Sequence, residues 1–170
     1  VSVLVFIGFM GLYSAADSNL DLWAKKQIFR FCFGLILLFI ISFIDIKFWY
    51  DKAYIIFGLS LILLLGVEIF GIFGFGAKRW IRLFNISIQP SELVKVTLIL
   101  FLARYFHNLK FEQIHLLKKL IIPFIALLIP FTLVLLQPDL GTSVTILFLG
   151  LIIFFLVGVK IWKFVFVFLI

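Results

Sequence analysis

Two short segments of this chain set a glutamine and a proline ahead of an acid, each at the head of a long apolar run: Gln89-Pro90-Ser91-Glu92-Leu93-Val94-Lys95 and Gln137-Pro138-Asp139-Leu140-Gly141-Thr142. Proline suits the first turn of a helix, where its missing N–H would be unpaired anyway, and an acid in that turn complements the positive end of the helix dipole. Asp139 repeats the logic of Glu92, and simple helix capping accounts for it equally well. Lys95 follows Glu92 by three residues, on the same helical face and close enough to pair with it. Both enter a run where an unpaired charge is costly. The pair is either an ion pair that fixes helix packing or part of a substrate or proton site, and residue types alone leave both readings open.

A third segment, Gly74-Phe75-Gly76-Ala77-Lys78-Arg79-Trp80-Ile81-Arg82, combines glycines, three cations and an aromatic ring. Glycine permits close backbone approach, a guanidinium grips phosphate oxygens in a fork, and Trp favours the headgroup level of a membrane. Lys78 and Arg79 are therefore candidates for holding an anionic group. A juxtamembrane basic loop resting on anionic headgroups would read the same way.

The elements that must position these residues follow from composition. Of 170 residues, 65% are hydrophobic and 14% charged, whereas a soluble domain is about half apolar and about a quarter charged. Such a chain has far more apolar surface than a core could cover. Runs of roughly 17 to 25 apolar residues match the hydrocarbon thickness of a bilayer when wound as helices. Twenty-four Phe, with no sustained alternation of apolar and polar residues, argue for helices over an outer-membrane barrel. The expected fold is all-α: a polytopic transmembrane helix bundle with spans near 1–13, 28–44, 53–72, 90–106, 119–136 and 142–159, and the start of a seventh at 164–170. The connections are read as Ser14 to Gln27, Asp45 to Lys52, Phe73 to Gln89, His107 to Lys118, Gln137 to Gly141 and Lys160 to Lys163. Short connections imply antiparallel neighbours in a single transmembrane domain over 1–170. Because Val1 and Ile170 both fall inside apolar runs, that domain is read as truncated at both ends.

On alternate sides of these spans, one set of connections carries Lys47, Lys52, Arg104, Lys110, Lys118, Lys119, Lys160 and Lys163, and the other Lys25, Lys26, Arg30, Lys78, Arg79 and Arg82. The richer set belongs inside by the positive-inside tendency. Both Gln-Pro openings and the Lys78 to Arg82 segment then converge on one outer rim. Glu68, about 22 Å along its helix from Ala53 by helical rise, should approach that rim, to pair with a cation or to snorkel. Pro123 and Pro130 predict a kinked fifth span whose freed carbonyls need partners. Cys32, the single cysteine, excludes a disulfide framework and reads as a small buried hydrophobe. His107 and His115 lack metal-ligand spacing, and no metal cage, nucleotide loop or nucleophile elbow is present. The net charge of +7 is scattered over span ends with no single basic stripe, so membrane lipids, and anionic ones in particular, are the expected partner and nucleic acid is not.

Taken together, Gly76-Ala77-Lys78-Arg79-Trp80, Gln89-Pro90-Ser91-Glu92 with Lys95, Leu102-Ala103-Arg104-Tyr105-Phe106 and Gln137-Pro138-Asp139-Leu140-Gly141-Thr142 resemble the SEDS family of shape, elongation, division and sporulation proteins. Gly11-Leu12-Tyr13-Ser14-Ala15 is similar to the end of that family's first helix. The texture of Leu102 to His107 leans toward the branch that serves rod shape and cell elongation over the one that serves division.

The resemblance implies a bacterial cytoplasmic-membrane glycosyltransferase of about ten spans. It would polymerise lipid II, an undecaprenyl-pyrophosphate disaccharide-pentapeptide, beside a class B penicillin-binding protein transpeptidase. It implies a catalytic Asp in a large outer loop after the seventh span, beyond Ile170. Lys78, Arg79, Glu92, Lys95 and Asp139 would then bind or support the substrate, with a divalent cation at the pyrophosphate left open. A lipid II flippase and a non-catalytic scaffold of the wall-building complex are the alternative readings.

Overall fold

The computed structural model describes residues 2–15, 24–74, 77–83 and 86–160. It contains helices α1 (Ser2–Ala15), α2 (Ala24–Ser42), α3 (Ile46–Phe70), α4 (Pro90–His107), α5 (Leu117–Leu136) and α6 (Leu140–Leu156). A 3-10 turn, Phe111–His115, joins α4 to α5, and strands β1 (Ile72–Gly74), β2 (Ala77–Leu83) and β3 (Ile86–Ile88) lie between α3 and α4. The helices match the six expected spans one for one; the seventh, 164–170, lies outside the described residues. Two stretches, Ile46–Val67 and Leu117–Leu136, are long and apolar enough to cross a bilayer on length and composition alone.

Two expected connections are corrected. Asp45 to Lys52 reads as a loop because it is charged, yet α3 begins at Ile46. The Asp45 carboxylate accepts from the Lys47 N–H at 2.9 Å and so caps the helix there. The segment from Phe73 to Gln89 is largely an antiparallel three-stranded ribbon in the order β1-β2-β3. Its register pairs Phe73 with Lys78 and Ile81 with Ile88, and β2 carries the β-favouring Trp80 and Ile81 at its centre.

The chain forms two compact units, Val1–Phe48 and Trp49–Ile170. In the first, α1 and α2 pack together around an apolar crevice of about 260 Å³ lined by Phe6, Phe9 and Phe31. Cys32 is exposed on α2, which corrects its reading as a buried residue: in a membrane helix an apolar side chain loses nothing by facing lipid.

In the second unit α4 packs against both α5 and α6, and Leu64, Val94, Leu98, Leu102, Leu127, Val134 and Ile146 are fully buried. Lipid tails are as apolar as these side chains, so close fit and internal hydrogen bonds must supply the association. Gly150 lets α6 approach α5 so closely that a Cβ there would overlap three carbons of Leu127. Ser60 Oγ and Thr97 Oγ1 lie 2.7 Å apart, buried between α3 and α4. Helix α6 closes with the Gly158 N–H donating to Phe155 O and the Val159 N–H to Phe154 O. That closure needs the left-handed backbone Gly158 adopts, with φ at 89°, and tucks Val159 into the core.

Both α5 prolines are fully buried within a continuous helix. Pro123 lacks the N–H that would reach the Lys119 carbonyl, and the Tyr105 hydroxyl of α4 donates to that carbonyl instead, at 2.8 Å. Tyr105→Phe should therefore lower stability by about 0.5–1.5 kcal/mol, the net contribution of one hydrogen bond. In a Pro123→Ala background, where the backbone N–H returns, the same change should cost much less. Thermal melts of the four proteins in detergent would check this, and additive losses would contradict it.

Candidate functional site

The N-termini of α4 and α6 meet at one end of the second unit. Gln89, which precedes α4, donates from Nε2 to the Asp139 carboxylate at 3.4 Å, and β2 reaches the same point. Gln137 is buried and donates to the Leu64 carbonyl of α3 at 3.3 Å. Both Gln-Pro openings and the basic segment therefore share a rim, as expected. Glu68 lies on the last turn of α3, but its side chain is outside the described residues, as is that of Arg82.

Asp139 does not repeat Glu92. Pro90 and Glu92 occupy the first turn of α4, whereas Asp139 stands one step outside α6 as its cap. Its Oδ1 accepts from the Thr142 N–H at 3.2 Å and its Oδ2 from the Thr142 hydroxyl at 2.9 Å. Arg79 Nη1 lies 3.7 Å from Oδ2, and Arg79 Nη2 donates to the Pro138 carbonyl. With Gln89 added, the carboxylate has donors on both oxygens and a cation beside it, so it ties β2, the start of α4 and the start of α6 together.

Arg79 is likewise committed, its two terminal nitrogens being turned onto α6. Successive residues on a strand face opposite ways, so Lys78 lies on the other face of β2, with Trp80. The sequence places Lys78 and Arg79 side by side; the pleat separates them. Lys95 Nζ and Glu92 Oε1 are 2.8 Å apart, an i, i+3 pair on α4 with the lysine four-fifths buried and the glutamate more than half exposed. Thus Lys95 points inward, held by an acid nearer the solvent.

His107 sits edge-on to Tyr50, ring centroids 5.4 Å apart, and the side chain of His115 is outside the described residues. Among the described residues no group of three or more His, Cys, Asp or Glu is gathered to hold a metal ion. The rim's two acids with described side chains, Glu92 and Asp139, are each paired with a cation of the chain. Sequence reasoning missed Gln89 and Gln137 as working side chains and Thr142 as the second partner of Asp139. The repeated Gln-Pro was the available signal.

Across its whole length, residues 1–170, the chain matches the family model described as FtsW/RodA/SpoVE, cell cycle protein. The chain belongs to this family. It is 37% identical over 146 residues to the probable peptidoglycan glycosyltransferase FtsW of Buchnera aphidicola subsp. Baizongia pistaciae, covering 84% of this chain and 38% of that protein. It is 30% identical over 152 residues to the peptidoglycan glycosyltransferase MrdB of Escherichia coli K12, covering 89% and 40%. The crystal structure of the rod-shape-determining protein RodA of Thermus thermophilus superposes with a TM-score of 0.81 at 30% identity, covering 94% of this chain and 52% of that one. A peptidoglycan synthase complex, solved for how it coordinates polymerisation and crosslinking, gives a TM-score of 0.81 at 31% identity, covering 92% and 45%. The chain thus spans about two fifths of the length of the curated FtsW and MrdB relatives it matches. As a FtsW/RodA/SpoVE protein it is a membrane protein built as a helical bundle, with a small ribbon between α3 and α4.

The mutual commitment of Arg79 and Asp139 sets a test. Arg79→Gln and Asp139→Asn each remove the ion pair while Asn preserves a capping oxygen, so the double variant should be less destabilised than the sum, with a coupling of roughly 0.5–3 kcal/mol. Denaturation of all four proteins in micelles measures it; simple additivity would show the two residues to be independent.

Proposed function

We propose that the full-length protein is a multi-pass peptidoglycan glycosyltransferase of the bacterial cytoplasmic membrane that polymerises lipid II, and that this chain supplies the rim which receives the pyrophosphate. The observation carrying this reading is the meeting of two helix N-termini, α4 and α6, through Gln89 and Asp139 beside the cations of β2. Helix N-termini present unpaired N–H groups and positive dipole ends, which favour anionic phosphate. With Glu92 paired to Lys95 and Asp139 to Arg79, neither acid opposes that field.

In the reaction a sugar hydroxyl loses its proton and attacks the anomeric carbon, while the bond to pyrophosphate breaks and its negative charge grows. Fixed cations near the leaving group lower that barrier. Lys95, oriented by Glu92, and Lys78, on the ribbon face away from α6, are the side chains assigned to the anion. Arg79 and Asp139 hold the ribbon against α6, so they support the site without touching the substrate. None of these residues is the general base, which the reading assigns to an Asp beyond Ile170. Elongation is the process favoured over division, and a class B penicillin-binding protein the partner, in keeping with the synthase complex among the structural relatives.

The full-length protein, with and without its transpeptidase, should convert labelled lipid II to glycan polymer resolved on a gel. Lys95→Met should lower kcat/KM about 10- to 100-fold, as expected for a lost charge-assisted contact of roughly 1.5–3 kcal/mol. Exchanging the two charges, Glu92→Lys with Lys95→Glu, should leave folding near normal but activity low. Restored activity would make the pair purely architectural. Absence of polymer together with lipid II translocation in vesicles would favour the flippase.

A further inference from the structure

The end of the second unit opposite the rim has a different electrostatic character. The ion pairs Arg79–Asp139 and Glu92–Lys95 lie at the rim. At the other end Lys52, Lys110, Lys118 and Lys119 are exposed, and none is in an ion pair among the described residues; Asp51 and Glu112 are the acids there. Arg104 is not part of this exposed set. Its Nη1 donates to the Asp51 carbonyl at 2.6 Å, and its guanidinium lies 4.4 Å from the Tyr54 ring centroid and 5.1 Å from that of Tyr50. It serves to join α3 to α4.

Two features set these lysines apart from ordinary solvated charge. Lys118 and Lys119 occupy the first turn of α5, which contains no acid, and a cation there opposes the helix dipole. The fold thus gains nothing locally from them. Around the same end run Tyr50, Tyr54 and Tyr105, with Tyr50 donating to Asn108 Oδ1 at 2.8 Å and Tyr105 to the Lys119 carbonyl. Tyrosines with an apolar body and a bonded hydroxyl mark the depth of a membrane interface. Lys118 and Lys119 are level with this collar and Lys52 lies between two of its tyrosines, so their long side chains can reach lipid phosphates, where attraction to an anionic surface outweighs the dipole cost.

We propose that this end, carried by Lys52, Lys110, Lys118 and Lys119, is a binding surface for anionic phospholipid headgroups. This goes beyond the glycosyltransferase reading and does not depend on it. The occupant is a lipid because the tyrosine collar fixes the depth, where a soluble acidic macromolecule would need the surface to stand clear of the membrane.

The full-length protein in neutral detergent would be titrated with phosphatidylglycerol or phosphatidylcholine of equal chain length, and retained lipid counted by native mass spectrometry at low and high salt. Phosphatidylglycerol should bind more tightly, and the preference should shrink with salt. Each Lys→Gln change among Lys118, Lys119, Lys52 and Lys110 should weaken it about fivefold, the equivalent of one lysine at an anionic surface. Lys118→Arg with Lys119→Arg should keep the preference, and melting temperatures would confirm that every variant is folded. Equal retention of the two lipids by the unaltered protein, or an unchanged preference in the fourfold Gln variant, would overturn the proposal. So would displacement of phosphatidylglycerol by an equal concentration of inorganic phosphate or of a nucleic acid.

Discussion

Inside a bilayer no water is available to satisfy a backbone N–H or carbonyl, and the second unit is arranged around that constraint. Where the sequence breaks a helical ladder, a neighbour repairs it. Tyr105 of α4 takes up the carbonyl released by Pro123, and Gly158 folds the chain back over the last carbonyls of α6. Gln137, carried in by the turn before α6, donates to the Leu64 carbonyl. The Tyr105 and Gln137 bonds join separate elements, so satisfying the backbone there also fixes which helices are neighbours. The core then needs only close fit, which Gly150 against Leu127 and the buried Ser60 and Thr97 hydroxyls provide.

The rim follows from the same arrangement. Because α4 and α6 begin at one end, their N–H groups face a common space, and the acids that the sequence sets there take two different positions. Glu92 lies within the first turn and restrains Lys95, while Asp139 lies just outside its helix and ties down Arg79, Gln89 and Thr142. One acid pairs within its own helix; the other joins separate elements.

Much of this was readable in the residues. The six helices follow from the apolar runs, and the Glu92 to Lys95 pairing from i, i+3 spacing. Convergence of the Gln-Pro segments on one rim follows from counting spans. Three things were not readable. The ribbon was hidden because glycine and cations signal a loop, while the pairing of Phe73 with Lys78 and Ile81 with Ile88 appears only once strands are laid side by side. The different fates of Lys78 and Arg79 depend on pleat, a property of a strand that hydropathy does not report. The early start of α3 was obscured because Lys47, Asp51 and Lys52 look like loop residues, although charged side chains are readily borne by helical turns at an interface.

The contact between Gln89 and Asp139 joins residues fifty positions apart. A chain inserted from its N-terminus delivers the ribbon and α4 to the membrane before α6 exists. Until Asp139 arrives, Arg79 lacks the carboxylate it pairs with in the folded chain, and the contact of Gln89 with the start of α6 cannot form. The contacts of the rim are therefore a late product of biogenesis, since a nascent chain that ends before Asp139 carries the ribbon and α4 without the carboxylate that joins them to α6.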